Sequence, residues 1–275
     1  MKFENVQVMN FKNAFRGMRH PKESYHLSDS VFKLTTFEDD ADYIVAEDWA
    51  NSEVHQRKES DLTSPDVIKA SHERLIEAYD EWLIKNGILQ SDWNNEIAEV
   101  AWIGPKDMRL AQNLVKAGPE HMKFMRQIFV SVDITAPLFW WKEFDTYKVG
   151  TTANSTSTMH KLAQTPITLD CFEIDDYKGM QLFLEEQSLD WDIKDIIDLM
   201  EALRKKYLET EDIRYWKELI RWLPESWLQT RTVTLSYANL RNIYFQRRYH
   251  KLTEWHSFCE WVKTLPYAEE LIILE

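Results

Sequence analysis

Residues 136–162 read APLFWWKEFDTYKVGTTANSTSTMHKL. Immediately upstream, Phe129 to Thr135 (FVSVDIT) alternates apolar with small polar side chains, the period of a half-buried strand. That strand runs straight into Ala136-Pro137, and a short aromatic, charged segment then predicts a helical turn. A cluster of small hydroxyl and amide side chains follows: Thr151, Thr152, Asn154, Ser155, Thr156, Ser157 and Thr158. A strand, a helical turn and a hydroxyl-rich loop in that order present many short hydrogen-bonding groups to a ligand phosphate or ring. Trp140 and Trp141 are adjacent, so a helix cannot aim both at one pocket, and at least one belongs to the core.

On the N-terminal side, NVQVMNF alternates like a strand, GMRHPKESYHLSDS is polar and loop-like, and ADYIVAE reads as another strand. Ser64-Pro65-Asp66 opens a helix whose apolar residues recur at helical spacing until Gly87 caps it. Gly104-Pro105 punctuates the chain, KDMRLAQNLVKAG predicts a helix that Gly118 ends, and Pro119 to Arg126 predicts a turn or short helix. From residue 178 the chain is mostly helical, through QLFLEEQ, DIKDIIDLMEALRKKYLE, DIRYWKELIRWL, SYANLRNIYFQRRYH and LTEWHSFCEWVKTL. Repeats and low-complexity tracts are absent. The expected fold class is α+β, helix-rich with a small β-sheet, in a single domain over residues 1–275.

The chain has 275 residues, 44 % of them hydrophobic, enough for one large core or two modest ones, and the lack of a linker favours one domain. A formal net charge of -13 argues against a protein that grips polymeric nucleic acid, which needs a basic face, but leaves room for a small nucleotide in a local basic pocket. No run of 18 apolar residues predicts a membrane span, and the N-terminus lacks the apolar core of a signal peptide. Cys171 and Cys259 make neither a disulfide framework nor a metal spacing, so a reducing, cytoplasmic setting is expected. With six Gly and no G-x-G-x-x-G or P-loop pattern, no Rossmann or Walker phosphate site is expected.

Few chemical constellations remain. Arg241, Arg247 and Arg248, followed by His250 and Lys251, form one basic group; 241 and 248 share a helix face and 247 points elsewhere. It reads either as an anion site or as a solvated face paired to acids such as Glu254. His121 follows a Gly-Pro-Glu turn, where a structural hydrogen bond is the commoner role. Asp170, Glu173, Asp175 and Asp176 fit no metal-binding spacing and read as a solvated loop. Cys259 lies three residues after His256, a helical neighbour, within an aromatic segment that reads as core.

Two blocks, about Lys106 to Leu162 and Leu223 to Trp255, resemble the flavin-dependent thymidylate synthases, the ThyX family. Members carry a helix ending in Gly with a nearby His, a strand, Ala-Pro, a helix leading to an Arg-His-Arg triplet, and a Ser beyond it. VKAGPEH, IFVSVDITAP and Thr146-Tyr147-Lys148 are the counterparts here, and Thr156 stands at the Ser position. LPESWLQTRTVTLSYANLRNIYFQRRYHKLTEW looks like the family's Leu-Pro turn, its strand-to-helix passage and its substrate-contacting helix, whose Arg would be Arg247 or Arg248, with Arg248 favoured because LTEW then meets the family's short motif ending in Trp. The chain departs from the family at the triplet, where only the third cation survives, as Lys148. The family's following Ser, Asn, Glu, second Ser and last Arg appear as Thr151, Ala153, Asn154, Thr156 and Thr158. Hydroxyls survive better than charges, and Lys cannot reproduce the planar fork of Arg. A mostly helical insertion at about residues 48–95 has no counterpart.

The resemblance implies a ThyX-like fold, a homotetramer, and a site for a dUMP-like pyrimidine nucleotide and FAD. By that resemblance Arg247 and Arg248 are catalytic; His121, Lys148, Thr151 and Asn154 bind cofactor; and Thr156, Thr158 and Arg248 bind substrate, with no metal. Methylene-tetrahydrofolate and NADPH enter only with the family's own chemistry, in which reduced flavin supplies hydride while the protein positions the ligands. The alternative is a catalytically inactive protein of the same fold with an assembly or regulatory role.

Overall fold

The computed structural model describes residues 1–35, 98–174, 179–188 and 193–275. The strand expected at ADYIVAE, the helix expected after Ser64, the insertion at 48–95, and Asp175 and Asp176 lie outside the described residues. The elements in chain order are β1 (Lys2–Met9), α1 (Phe11–Arg19), β2 (Val31–Thr35), β3 (Ala98–Trp102), α2 (Pro105–Lys116), β4 (Phe129–Pro137), α3 (Leu138–Phe144), β5 (Thr152–Ser155), α4 (Thr158–Lys161), α5 (Gly179–Glu186), α6 (Ile193–Thr210), α7 (Ile213–Arg221), β6 (Leu228–Ser236), α8 (Tyr237–Arg247) and α9 (Thr253–Lys263). Helices dominate, and four strands form one sheet in the order β1-β4-β6-β5, while β2 and β3 form a separate antiparallel pair. The α+β class expected from the sequence is observed.

The chain divides into two compact units. The first comprises Met1–Val6, Ser131–Thr234 and Leu252–Ser257. Its sheet has two unlike faces. Val132, Ile134 and Ala136 of β4 and Val233 of β6 are buried, while the alternate residues Ser131, Asp133, Thr135, Thr230, Thr232 and Thr234 are polar and partly or fully exposed. Side-chain contacts pair Thr135 with Thr230, Asp133 with Thr232 and Ser131 with Thr234. One strand's numbers fall as the other's rise, so β4 and β6 run antiparallel. A second core lies among α6, α7 and the preceding loops, built from Leu162, Ile167, Phe172, Ile197, Met200 and Leu219. Within it Arg204 grips Glu201 through Nε and Nη2, each at 2.6 Å, and gives Nη1 to the Ala163 carbonyl, while Glu201 accepts Ile167 N–H at 2.9 Å. Those bonds hold the Glu201 carboxyl down to about 2, chiefly through Arg204.

The second unit comprises Gln7–Val130, Leu235–Lys251 and Phe258–Glu275. The sequence reading placed no helix between NVQVMNF and the polar stretch after it, yet α1 occupies that interval. Phe11, Ala14, Phe15 and Met18 recur at i, i+3, i+4 and i+7 and are all buried, so a nine-residue stripe too short to stand out by periodicity is stabilised by packing. Phe11 meets Tyr237 and Tyr267 edge-on, and Phe15 meets Phe124. At the end of α1, buried Arg19 pairs with fully buried Asp107 of α2 at 2.5 Å. Ser28 and Ser30 hydroxyls donate to the other Asp107 oxygen, each at 2.6 Å, and Arg19 also reaches the Leu27 carbonyl. Asp29 caps α2 through the N–H groups of Lys106 and Asp107. Gly104 is required there, because a Cβ would stand 2.3 Å from the Asp29 main chain. Gly118, at φ +114°, closes α2 as the sequence predicts.

Asp107→Ala strands a buried guanidinium and is expected to lower unfolding free energy by about 3–5 kcal/mol. The double variant Asp107→Ala/Arg19→Met loses less than the two single variants summed, in urea denaturation at neutral pH. Glu201 is lowered in the folded state, so its stabilisation is present above the ordinary carboxylate range and lost as pH falls through about 4.5 towards about 2. Glu201→Gln therefore removes an acid-labile increment on the order of 2 kcal/mol, read as a shift in the urea midpoint at pH 6 that shrinks at pH 3.

Candidate functional site

The first unit builds its candidate site from the join of β4 and α3. Pro137 stands before the helix with extended backbone, and the first two N–H groups of α3 need outside acceptors. The turn after Leu223-Pro224 supplies them: Leu138 N donates to Trp227 O and Phe139 N to Glu225 O, both at 3.1 Å. The two sequence blocks that resemble one family therefore meet at this join. Trp140 and Trp141 are both fully buried and meet edge-on, and Trp140 also contacts Trp255. Trp141 Nε1 donates to Gln229 O at 2.9 Å.

Arg231 of β6 lies with its guanidinium 4.2 Å from the Trp141 ring centre. Its Nε donates to Gln229 Oε1 at 2.9 Å and its Nη1 to Asp145 at 2.8 Å. Sequence reasoning missed this residue. The signal was available, since alternation along LQTRTVTLS puts position 231 on the same face as Val233 and Leu235, where an Arg must find partners.

The triplet position follows α3. Thr146 Oγ1 donates to the Glu143 carbonyl at 2.7 Å, and the Tyr147 ring packs on Phe144 and, edge-on, on Trp255. Lys148 is exposed. Gly150 then adopts φ +76°, which a side chain would strain. Thr151 Oγ1 is buried and has no hydrogen-bond partner among the described residues. Such a group carries an unmet desolvation cost of about 1–3 kcal/mol.

The stretch read as a hydroxyl-rich loop is in fact a strand over part of its length. Residues 152–155 pair with β6 in the register Thr152↔Thr234, Ala153↔Val233, Asn154↔Thr232 and Ser155↔Arg231. Tertiary pairing overrides the weak strand preference of Ala, Asn and Ser. Thr156 extends the pairing, with its N–H on Thr230 O at 2.9 Å, and Gln229 Nε2 donates to Thr156 O at 2.8 Å. Thr158 opens α4, where its carbonyl receives Leu162 N–H. Lys148, Thr151, Asn154, Thr156 and Thr158 thus share one continuous segment. Thr152 and Asn154 lie on the polar face, in a row that runs through Thr232 and Asp133 to Asn5. Hydrogen bonds from Thr232 and then Asn5 hold the Asp133 carboxyl below its usual range, so it remains an acceptor.

The other expected residues belong to the second unit. His121 is exposed in the turn after α2, its N–H on Gly118 O at 3.0 Å. Arg247 ends α8. Arg248 follows it and pairs with Glu275 at 2.6 Å, which raises its affinity for the proton. Arg241 and Arg248 do share a face, as expected: their guanidinium carbons lie 4.7 and 4.8 Å from the Phe245 ring centre. Arg241 is spent on the C-terminal carbonyls of Ile272 and Leu274. Cys259 is buried and pushed up to about 11, chiefly by desolvation, which leaves no thiolate to partner the exposed His256. Among the described residues no group of three or more His, Cys, Asp and Glu side chains forms a metal site, and no helix is long and apolar enough to cross a membrane.

No protein-family model matches the chain, and no curated protein matches it. Among solved structures, it is similar to flavin-dependent thymidylate synthase ThyX from Helicobacter pylori complexed with FAD and dUMP. That likeness has 15 % identity and a TM-score of 0.47, over 62 % of this chain and 83 % of the other. A second structure of the Helicobacter pylori ThyX with FAD and dUMP gives the same identity and TM-score over 62 % and 82 %. Likeness at this level leaves both fold and ligand to be argued from the chain's own residues.

Proposed function

We propose that the segment from Lys148 to Thr158 binds a pyrimidine nucleotide of the dUMP type, with FAD as a second ligand, in a homotetrameric protein of a reducing, cytoplasmic setting. The observation that carries this reading is the orphaned, buried Thr151 hydroxyl at the head of an edge strand whose polar face already holds Thr152 and Asn154. Hydroxyl and amide groups of this kind suit the donors and acceptors of a uracil or a flavin ring. Lys148 is the cation of the segment, which suits the single phosphate of a nucleotide monophosphate better than the two phosphates of a pyrophosphate. FAD would therefore engage the segment through its ring and sugar chain; His121, in the other unit, is a cofactor contact by the family resemblance alone. When bound, a flavin supplies hydride chemistry; this chain's residues hold and orient the partners. Arg247 or Arg248, with Arg248 favoured, is the proposed contact to the substrate, and methylation of the ring would bring in methylene-tetrahydrofolate, with NADPH as reductant.

A second reading has its own observation. The residues at the triplet position are absorbed into structure, Thr146 by the Glu143 carbonyl and Tyr147 by Phe144 and Trp255. That favours an inactive protein with an assembly or regulatory role.

Isothermal titration with dUMP and with uridine separates the contributions. Thr151→Val is expected to weaken both ligands by about 2- to 10-fold, the worth of one neutral hydrogen bond. Lys148→Ala is expected to weaken dUMP but not uridine, with a loss that shrinks as salt is added. Absence of heat with dUMP, together with no flavin absorbance after saturation with FAD, overturns the ligand reading and leaves the assembly reading standing.

A further inference from the structure

β5 is the last strand of its sheet among the described residues, and all four of its residues are exposed. Its register shows which main-chain groups are left open. Thr156 N–H bonds Thr230 O, and opposite residues in an antiparallel ladder alternate between hydrogen-bonded and open pairs. Pairs 156/230, 154/232 and 152/234 are therefore the bonded ones. Ala153 and Ser155 consequently turn their N–H and C=O groups away from β6, toward the open edge. Edge strands usually carry Lys, Pro or a bulge as protection. Residues 151–158 carry no charge and no Pro, in a chain that is 29 % charged with a net charge of -13.

From this geometry we infer that β5 pairs antiparallel with β5 of a second copy of this chain about a two-fold axis centred on Asn154. Ala153 then opposes the second copy's Ser155, and Ser155 its Ala153, so two bonded pairs make four main-chain hydrogen bonds. Asn154 meets its own copy in the close, open pair, where two amides satisfy each other, and Thr152 stands opposite the second copy's Thr156. Every apposition is neutral and small, so the strand is complementary to itself where the rest of an acidic surface repels its copy. Four main-chain bonds alone do not offset the cost of association. The flanks add apolar burial: Val149 is 89 % exposed and Met159 48 % exposed. The antiparallel register brings the leading flank of one copy to the trailing flank of the other. A charged or larger partner strand gains no such symmetry, which is why a second copy is the occupant. The inference goes beyond the proposed homotetramer by naming one of its contacts, and it does not depend on any ligand.

Sedimentation velocity on the full chain tests it. Ala153→Pro removes an outward N–H without touching the β5–β6 ladder and is expected to halve the particle mass, with unchanged circular dichroism. Asn154→Glu and Asn154→Lys, each placing like charges on the axis, are expected to do the same, and an equimolar mixture of the two is expected to restore the larger particle. If Ala153→Pro leaves an oligomer intact, this interface falls while a homo-oligomer stands. A wild-type chain that sediments as a monomer overturns both. Loss of mass in the Asn154 variants without rescue on mixing also overturns the two-fold pairing, because a merely structural lesson at that position is indifferent to the partner's charge.

Discussion

The first unit depends on two hydrogen bonds to the start of one short helix. α3 has seven residues and cannot stand on propensity. It exists because Leu138 and Phe139 hand their N–H groups to the turn after Leu223-Pro224, and because Trp140, Trp141 and Phe144 are buried beneath it. Once α3 is placed, its last turn sets where Thr146, Tyr147 and Lys148 emerge, and Gly150 then returns the chain as β5 beside β6. The candidate site is thus held by main-chain geometry, which tolerates change in the side chains it displays.

Thr146 and Tyr147, just after α3, show how that geometry absorbs its side chains. A hydroxyl at 146 closes the helix on Glu143, and an aromatic ring at 147 adds to the Trp255 cluster. Both side chains serve local structure rather than anion binding. The polar work passes to neighbours: Thr151 is buried without a partner, and Asn154 and Thr152 extend a row that reaches Asp133.

The same economy governs the cations. In an acidic chain, several buried and half-buried guanidinium groups serve structure. Arg19 is closed by Asp107, Arg204 by Glu201, Arg231 by Asp145 and Gln229, and Arg241 by two carbonyls near the C-terminus. Each guanidinium, with its fixed fork of donors, ties segments distant in sequence at little cost in order. Lys148 is left exposed, whereas Arg248 is half-buried, pairing with the exposed Glu275 and lying over Phe245.

Much of this was legible in the chain itself. Strong local signals settled the strand at 129–137, the helix stop at Gly118 and the long amphipathic helices after residue 193, because alternation, positive-φ glycine and helical periodicity are properties of neighbours in sequence. The order of strand, Ala-Pro, helix and hydroxyl cluster was likewise readable. Other features were not. α1 is brief and needs Tyr237 and Tyr267 to bury it, β5 is a strand only because β6 lies alongside, and Arg231 matters only because Trp141 and Asp145 converge on it from another element. Local sequence specified the elements whose stabilisation is local, whereas partners far apart along the chain decided the edge strand, the spent cations and the unmatched hydroxyl, since pairing, burial and ion contacts arise only when distant residues meet.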